Sequence, residues 1–312
     1  MLESHGAENR KIDEATGVET VGHEWDGIEE LNNPLPRWWV LTFYASILFA
    51  IAYVVVYPAI PGRHKASDGM WKWSSRGALA ADVAAADKAR APVIAALATT
   101  PIEALPGNPD LMEKAVAGGR AAFRVNCVQC HGAGAAGSRG YPNLNDDDWL
   151  WGGDLKTIET TITHGIRFAG DDQTRQSLMP NFGRDGILSS AQIDEAASFV
   201  RSLSGKEHSG AAAQRGAAVF AANCAVCHGP QGKGGRAVGA PNLADAIWLY
   251  GGRHEDVVAS ITNAHAGVMP AWGHRLDPVT IKMLAAYVHS LGGGEQFVPA
   301  PPAPEPAATA AR

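Results

Sequence analysis

The sequence is short of cysteine: its 312 residues include four, too few for a disulfide-stapled scaffold. Charged residues are also scarce, at 19% with a net charge of −6. No basic face of the kind that tracks a phosphate backbone is present, so nucleic acid is excluded as a partner. What charge there is sits unevenly, because residues 1–37 hold nine acids against three bases. Between 38 and 57, "WWVLTFYASILFAIAYVVVY", charge is missing altogether. A disordered chain is excluded by the 46% of hydrophobic residues.

The four cysteines form two matching motifs. Cys127 and Cys130 lie in "NCVQCHG" (126–132), and Cys224 and Cys227 in "NCAVCHG" (223–229). No βαβ pattern surrounds them, which removes a thioredoxin-like redox site. A zinc ribbon or a disulfide pair could use the spacing but has no need of the histidine that follows. The C-x-x-C-H pattern is that of covalent haem c attachment. Two thiols three positions apart share one face of a helical turn and can form thioethers to the porphyrin edge, while the next imidazole, His131 or His228, turns onto the iron. Two copies with the same flanks predict two haem c groups.

The motifs belong to a repeat of 97 residues, measured from Cys127 to Cys224. "PNL" (142–144 and 241–243), "WLWGG" or "WLYGG" (149–153 and 248–252) and "MP" (179–180 and 269–270) recur in the same order. A duplicated helical domain follows, at 114–205 and 206–293. Gly119 and Phe123, like Gly216 and Phe220, share a face of the helix entering each motif. The closing segments place Phe199, Val200 and Leu203, or Tyr287, Val288 and Leu291, at helical spacing. Glycine on the first helix lets the aromatic of the last approach closely. Residues 204–213 read as a hinge between the two domains.

A haem iron held by one histidine has a sixth position. Of six methionines, Met179 and Met269 alone stand at matched loop positions, 48 residues after His131 and 41 after His228. Soft thioether sulfur favours reduced iron and raises the potential. His164 and His265 are the rival sixth ligands and predict lower potentials. Spacing fixes order and not proximity, so which haem each methionine meets stays open.

The uncharged run at 38–57 is long enough to cross a bilayer, and Trp38, Trp39 and Tyr57 are placed as interfacial anchors. It is longer than a signal h-region and no A-x-A-like site follows, so an uncleaved anchor is expected over 38–58. Beside it lie an acidic N-terminal segment (1–37) and a spacer (59–113) whose Ala-rich part, 80–97, permits a helix. The Pro/Ala-rich tail at 294–312 is expected to be disordered. Counting Arg37 against Arg63, Lys65, Lys72 and Arg76 places the C-terminal side in the cytoplasm. Haem c is attached outside the bacterial inner membrane, and that chemistry takes precedence: N-terminus cytoplasmic, haem domains periplasmic.

Both repeats resemble class I cytochromes c. The string "GHEWDGIEELNNPLPRWW" (22–39), "YP" (57–58) and "WSSRG" (73–77) resemble the dihaem subunit, CcoP/FixP, of cbb3-type cytochrome c oxidases. The implied fold is all-α: one N-terminal transmembrane helix followed by two tandem class I cytochrome c-like domains. The resemblance further implies that the Pro142 and Pro241 carbonyls accept from the axial imidazoles, although a plain turn accounts for these prolines equally well. It implies relay of electrons from a donor cytochrome c or quinol-oxidising complex to the monohaem cytochrome c subunit and the catalytic haem-copper subunit of the oxidase. The chain has no histidine cluster for haem b or copper and is not expected to reduce oxygen by itself. A dihaem peroxidase and a cytochrome subunit of a periplasmic dehydrogenase are the alternatives. Asp146, Asp147 and Asp148 are expected to cap a helix beginning near Trp149, the alternative being that they help a basic donor cytochrome to dock.

Overall fold

The computed structural model describes residues 10–206 and 210–296. The chain divides into two units, one ending at Lys88 and one beginning at Ala89. In the first, β1 (Thr20–Trp25) and β2 (Ile28–Leu31) pair as an antiparallel hairpin. Asp26 and Gly27 at its tip have φ of 49° and 87°, which a two-residue hairpin turn demands and Asp-Gly supplies. Helix α1 (Arg37–Val56) follows, with no buried residue. Its 20 residues suffice for a hydrocarbon core about 30 Å thick. Beyond it the chain turns back. The Met70 and Trp71 amides donate to the Val55 and Val56 carbonyls (3.0 and 3.2 Å), satisfying two acceptors that a helix end leaves open. Trp71 and Trp73 then meet the Tyr57 ring edge-on at 5.1 and 5.7 Å.

The Ala-rich stretch is helical, within α2 (Ser75–Thr99). Its end is more than a spacer. Leu97 is fully buried and joins a core with Ile102 and Leu105. Lys282 caps this end, donating to the Leu97 and Thr100 carbonyls at 2.6 Å each.

Eight further helices are described: α3 (Pro109–Asn126), α4 (Val128–His131), α5 (Leu155–His164), α6 (Ser190–Leu203), α7 (Ala211–Asn223), α8 (Ala225–His228), α9 (His254–Thr262) and α10 (Pro278–His289). The sequence leads one to expect each repeat's first helix against its own last helix. The repeats exchange partners instead: α3 packs on α10 and α6 on α7. Both crossings are as close as the glycines suggested. A Cβ at Gly119 would collide with the Met283 carbonyl and the Tyr287 Cβ, and one at Gly216 with the Glu195 carbonyl and the Phe199 Cβ. Phe123 stands 5.3 Å from the Tyr287 ring, and Phe220 5.1 Å from Phe199. Phe123 and Phe220 are each 1% exposed, so both aromatics give their full burial to the crossing.

Two cores result. One combines α2, α3 and α5 with α10: Leu97, Phe123, Ile158 and Ile162 from one side of the chain, Ile281, Leu284 and Tyr287 from the other. The second is continuous in sequence, from Met179 and Phe182 through α6, α7 and α9 to Ile261. The boundary expected between 205 and 206 therefore falls between two helices of one core. Helix α6 ends at Leu203 and α7 begins at Ala211, and helices so close in sequence pack as neighbours. Residues 207–209 of the expected hinge, and the tail from 297 onward, lie outside the described residues.

Helix α5 begins at Leu155, six residues later than the aspartate run implied. Asp154 caps it, accepting from the Lys156 and Thr157 amides at 3.0 Å. Asp146–Asp148 therefore cap no helix. Asp148 instead lies near Asp245; burial, with that charge second, pushes its carboxyl up to about 6.

Candidate functional site

Each C-x-x-C-H motif begins at the end of one helix and continues into a separate short helical turn. Cys127 and Cys224 are the C-caps of α3 and α7, and the following turns, α4 and α8, end in His131 and His228. The chain then leaves through Gly132 (φ 77°) and Gly229 (φ 75°), a conformation natural to glycine. Cys130 and Cys227 are exposed, Cys127 and Cys224 half-buried, and none of the four is in a disulfide. Burial, with the neighbouring thiol second, pushes Cys127 and Cys224 up to about 11, so neither is a ready thiolate. Among the described residues no three Cys, His, Asp or Glu side chains converge as a metal ion would need.

The histidines are oriented alike. His131 Nδ1 lies 3.2 Å from the Pro142 carbonyl, and His228 Nδ1 3.0 Å from that of Pro241. A carbonyl can only accept, so each Nδ1 carries the proton and each Nε2 keeps a lone pair for a metal. Burial lowers both pKa values, the proline carbonyls opposing it, and the rings stay neutral and ligand-competent. These prolines are thus more than turn formers.

The exchange of helices also moves the methionines. Met179 packs with Phe220, Cys224 and Trp248 of the second core and lines one cavity of about 590 Å³ with His228. That volume lies within the range of cofactor sites, roughly 300–1,000 Å³. Met269 packs instead against the first core, as do Cys127 and Val128. Its backbone exchanges two hydrogen bonds with Ile166 (2.9 and 3.0 Å), just past α5. Met179 thus shares its core and cavity with the second motif, and Met269 shares its core with the first motif.

The rival histidines are otherwise engaged. His164 Nδ1 lies 3.1 Å from Asp171, which also meets His274 Nε2 at 3.2 Å. His265, which lines the same cavity as Met179, stacks on Tyr250 with centroids 3.7 Å apart. Nor are the two equivalent. Gly273 donates to Thr163 and Gly183 to Thr262, so the counterpart of His164 is Asn263. The sequence reading missed Arg167 and Arg175, which fasten the loop before Met179. A signal was available: Ile162 and Met179 are 17 residues apart, Ile261 and Met269 only 8.

The donor set, two thiols on one turn, an imidazole with its outer nitrogen tied down and a thioether nearby, fits haem c at both places. Residues 17–63 match the family described as the N-terminal domain of cytochrome oxidase-cbb3, FixP, and residues 114–200 and 211–288 match cytochrome c oxidase, cbb3-type, subunit III. The chain belongs to the cbb3-type oxidase subunit III family. It is 53% identical over 296 residues to the Cbb3-type cytochrome c oxidase subunit FixP of Azorhizobium caulinodans, covering 95% of this chain and 100% of that one. Identity to the subunit CcoP of Cereibacter sphaeroides is 52% over 276 residues, 88% of this chain and 95% of the other. With FixP of Rhizobium meliloti it is 50% over 287 residues, 92% and 99%. Members of this family are haem c proteins of electron transport, and α1 is this chain's membrane anchor.

Proposed function

We propose that this chain is a membrane-anchored dihaem cytochrome c that relays electrons within a cbb3-type terminal oxidase. Cys127 and Cys130 hold one haem c through thioethers, and Cys224 and Cys227 the other. His131 and Met269 are the axial ligands of the first, His228 and Met179 of the second. Bound there, each haem supplies a one-electron couple whose potential the thioether raises. The observation that carries the reading is that each C-x-x-C-H motif has its histidine tethered to a proline carbonyl, with one methionine packed on the same core as the motif. With both sixth positions filled from the chain, neither iron is left open for peroxide, which argues against the peroxidase alternative.

The remaining parts follow from that role. The two sequence repeats, 114–205 and 206–293, each supply one attachment site while sharing their ligand loops and terminal helices. The anchor holds the centres at the outer face of the bacterial inner membrane, with the N-terminus in the cytoplasm. Electrons enter from a donor cytochrome c or quinol-oxidising complex and leave to the monohaem cytochrome c and catalytic haem-copper subunits. The experiment is purification in mild detergent, followed by pyridine haemochrome analysis and identification of copurifying subunits. Two haem c per chain, six-coordinate His/Met spectra and a polytopic partner containing haem b are expected. A flavin or quinone dehydrogenase as the sole partner would favour the dehydrogenase alternative.

A further inference from the structure

One side chain joins the two methionine loops to each other. Arg167 Nε donates to the Gly267 carbonyl at 2.7 Å, and its Nη1 to the Ser177 carbonyl at 3.1 Å. Gly267 stands two residues before Met269, and Ser177 two before Met179. A single planar guanidinium thus grips equivalent points of both loops. The backbone at Arg167 is left-handed, φ 52°, an uncommon and strained conformation for a long side chain. Such strain persists only where surrounding contacts over-determine it, and here they do: the Arg167 amide donates to the Arg175 carbonyl at 2.8 Å, while Ile166 beside it pairs with Met269. Burial lowers the guanidinium pKa, yet arginine stays charged, and hydrogen bonds from a charged donor are the stronger kind. The second repeat has no arginine between Ile261 and Met269. The grip is single and asymmetric.

We propose that Arg167 is a positioning residue that braces Met179 and Met269 together, so that the hold of sulfur on iron at both centres depends on one side chain. The inference rests on the ligand assignment above. It predicts a coupling: weakening this brace loosens the methionine at both haems, whereas an arginine serving only its own loop would affect one.

The test uses the full-length, haem-loaded chain in detergent. Imidazole is titrated into the ferric protein while the near-infrared methionine-to-iron charge-transfer band is followed. Met179→His and Met269→His each leave one such band and so assign the two sites. Arg167→Gln removes the charge and the fork; Arg167→Lys keeps the charge, loses the fork and carries the test should the glutamine variant fail to assemble. Imidazole is expected to displace methionine from both haems at about tenfold lower concentration, the factor matching loss of one charge-assisted hydrogen bond. Haem content and helical circular dichroism should stay at the wild-type level. A change at one centre only, or at neither, overturns the brace while leaving the ligands standing. Absence of the band from the wild-type protein would defeat the ligand assignment and the brace together.

Discussion

Gly119, in the first sequence repeat, lies directly beneath Tyr287, in the second, with no room for a methyl group between them. The mirror contact is Gly216 of the second repeat beneath Phe199 of the first. Because the collision in each case is with a backbone carbonyl as well as a side chain, rotamer change cannot relieve it. Gly119→Ala and Gly216→Ala should each destabilise by about 1–3 kcal/mol, the usual penalty of overpacking. Denaturant unfolding of the haem-loaded chain measures it. A loss of less than half a kilocalorie at both positions, within about the ordinary scatter of surface changes, would mean the helices cross farther apart than described.

The methionine assignments predict which haem responds to which substitution. Met179→His should lower the potential of the haem on Cys224 and Cys227, and Met269→His that of the haem on Cys127 and Cys130. Each shift is expected on the order of 0.1 V, well inside the roughly 0.8 V that axial ligands span. Redox titration, with each haem assigned by a cysteine knock-out of the other motif, decides it. If Met179→His moved the haem on Cys127, the ligands would follow the repeats rather than the exchanged packing.

Continuity of the second core predicts an unusual fragment. Residues 177–265 contain every side chain of that core together with Cys224, Cys227, His228 and Met179. Expressed in a haem c-maturing host, this piece should fold and show a His/Met spectrum, although it begins in one repeat and ends in the other. The repeat 114–205 should not, because the helix that covers its Phe123 is α10. Haem staining and optical spectra of the two fragments make the comparison. The opposite outcome would restore the repeats as folding units.

Asp148 predicts a pH dependence. Burial, with Asp245 second, raises its carboxyl pKa to about 6 from an ordinary value of 3.8. The folded protein then binds more protons than the unfolded chain between those values, so this group erodes stability as pH rises from about 4 to 6. Asp148→Asn lacks the charge. The variant should gain on the order of 1 kcal/mol over wild type above pH 6, after allowing for solvent screening at this half-buried site. Below pH 4 the gain should vanish. Thermal melts at pH 4 and 7 give the difference directly, and an equal gain at both would assign the effect to something other than ionisation.

Local chemistry was legible in the sequence because it is encoded by adjacent residues. The paired thiols and the histidine after them need only one helical turn, and the anchor only an uninterrupted apolar run. Met179 and Met269 could be picked out because duplication set them at matched places. Tertiary packing decided which core each methionine packs on, since α6 and α10 present similar apolar faces and either would suit α3 or α7. The short link from Leu203 to Ala211 makes α6 and α7 neighbours, and α10 is then left to return to α3, bringing Met269 back with it. That outcome depends on chain connectivity and on contacts between residues more than 150 positions apart, such as Gly119 and Tyr287, which no local pattern records.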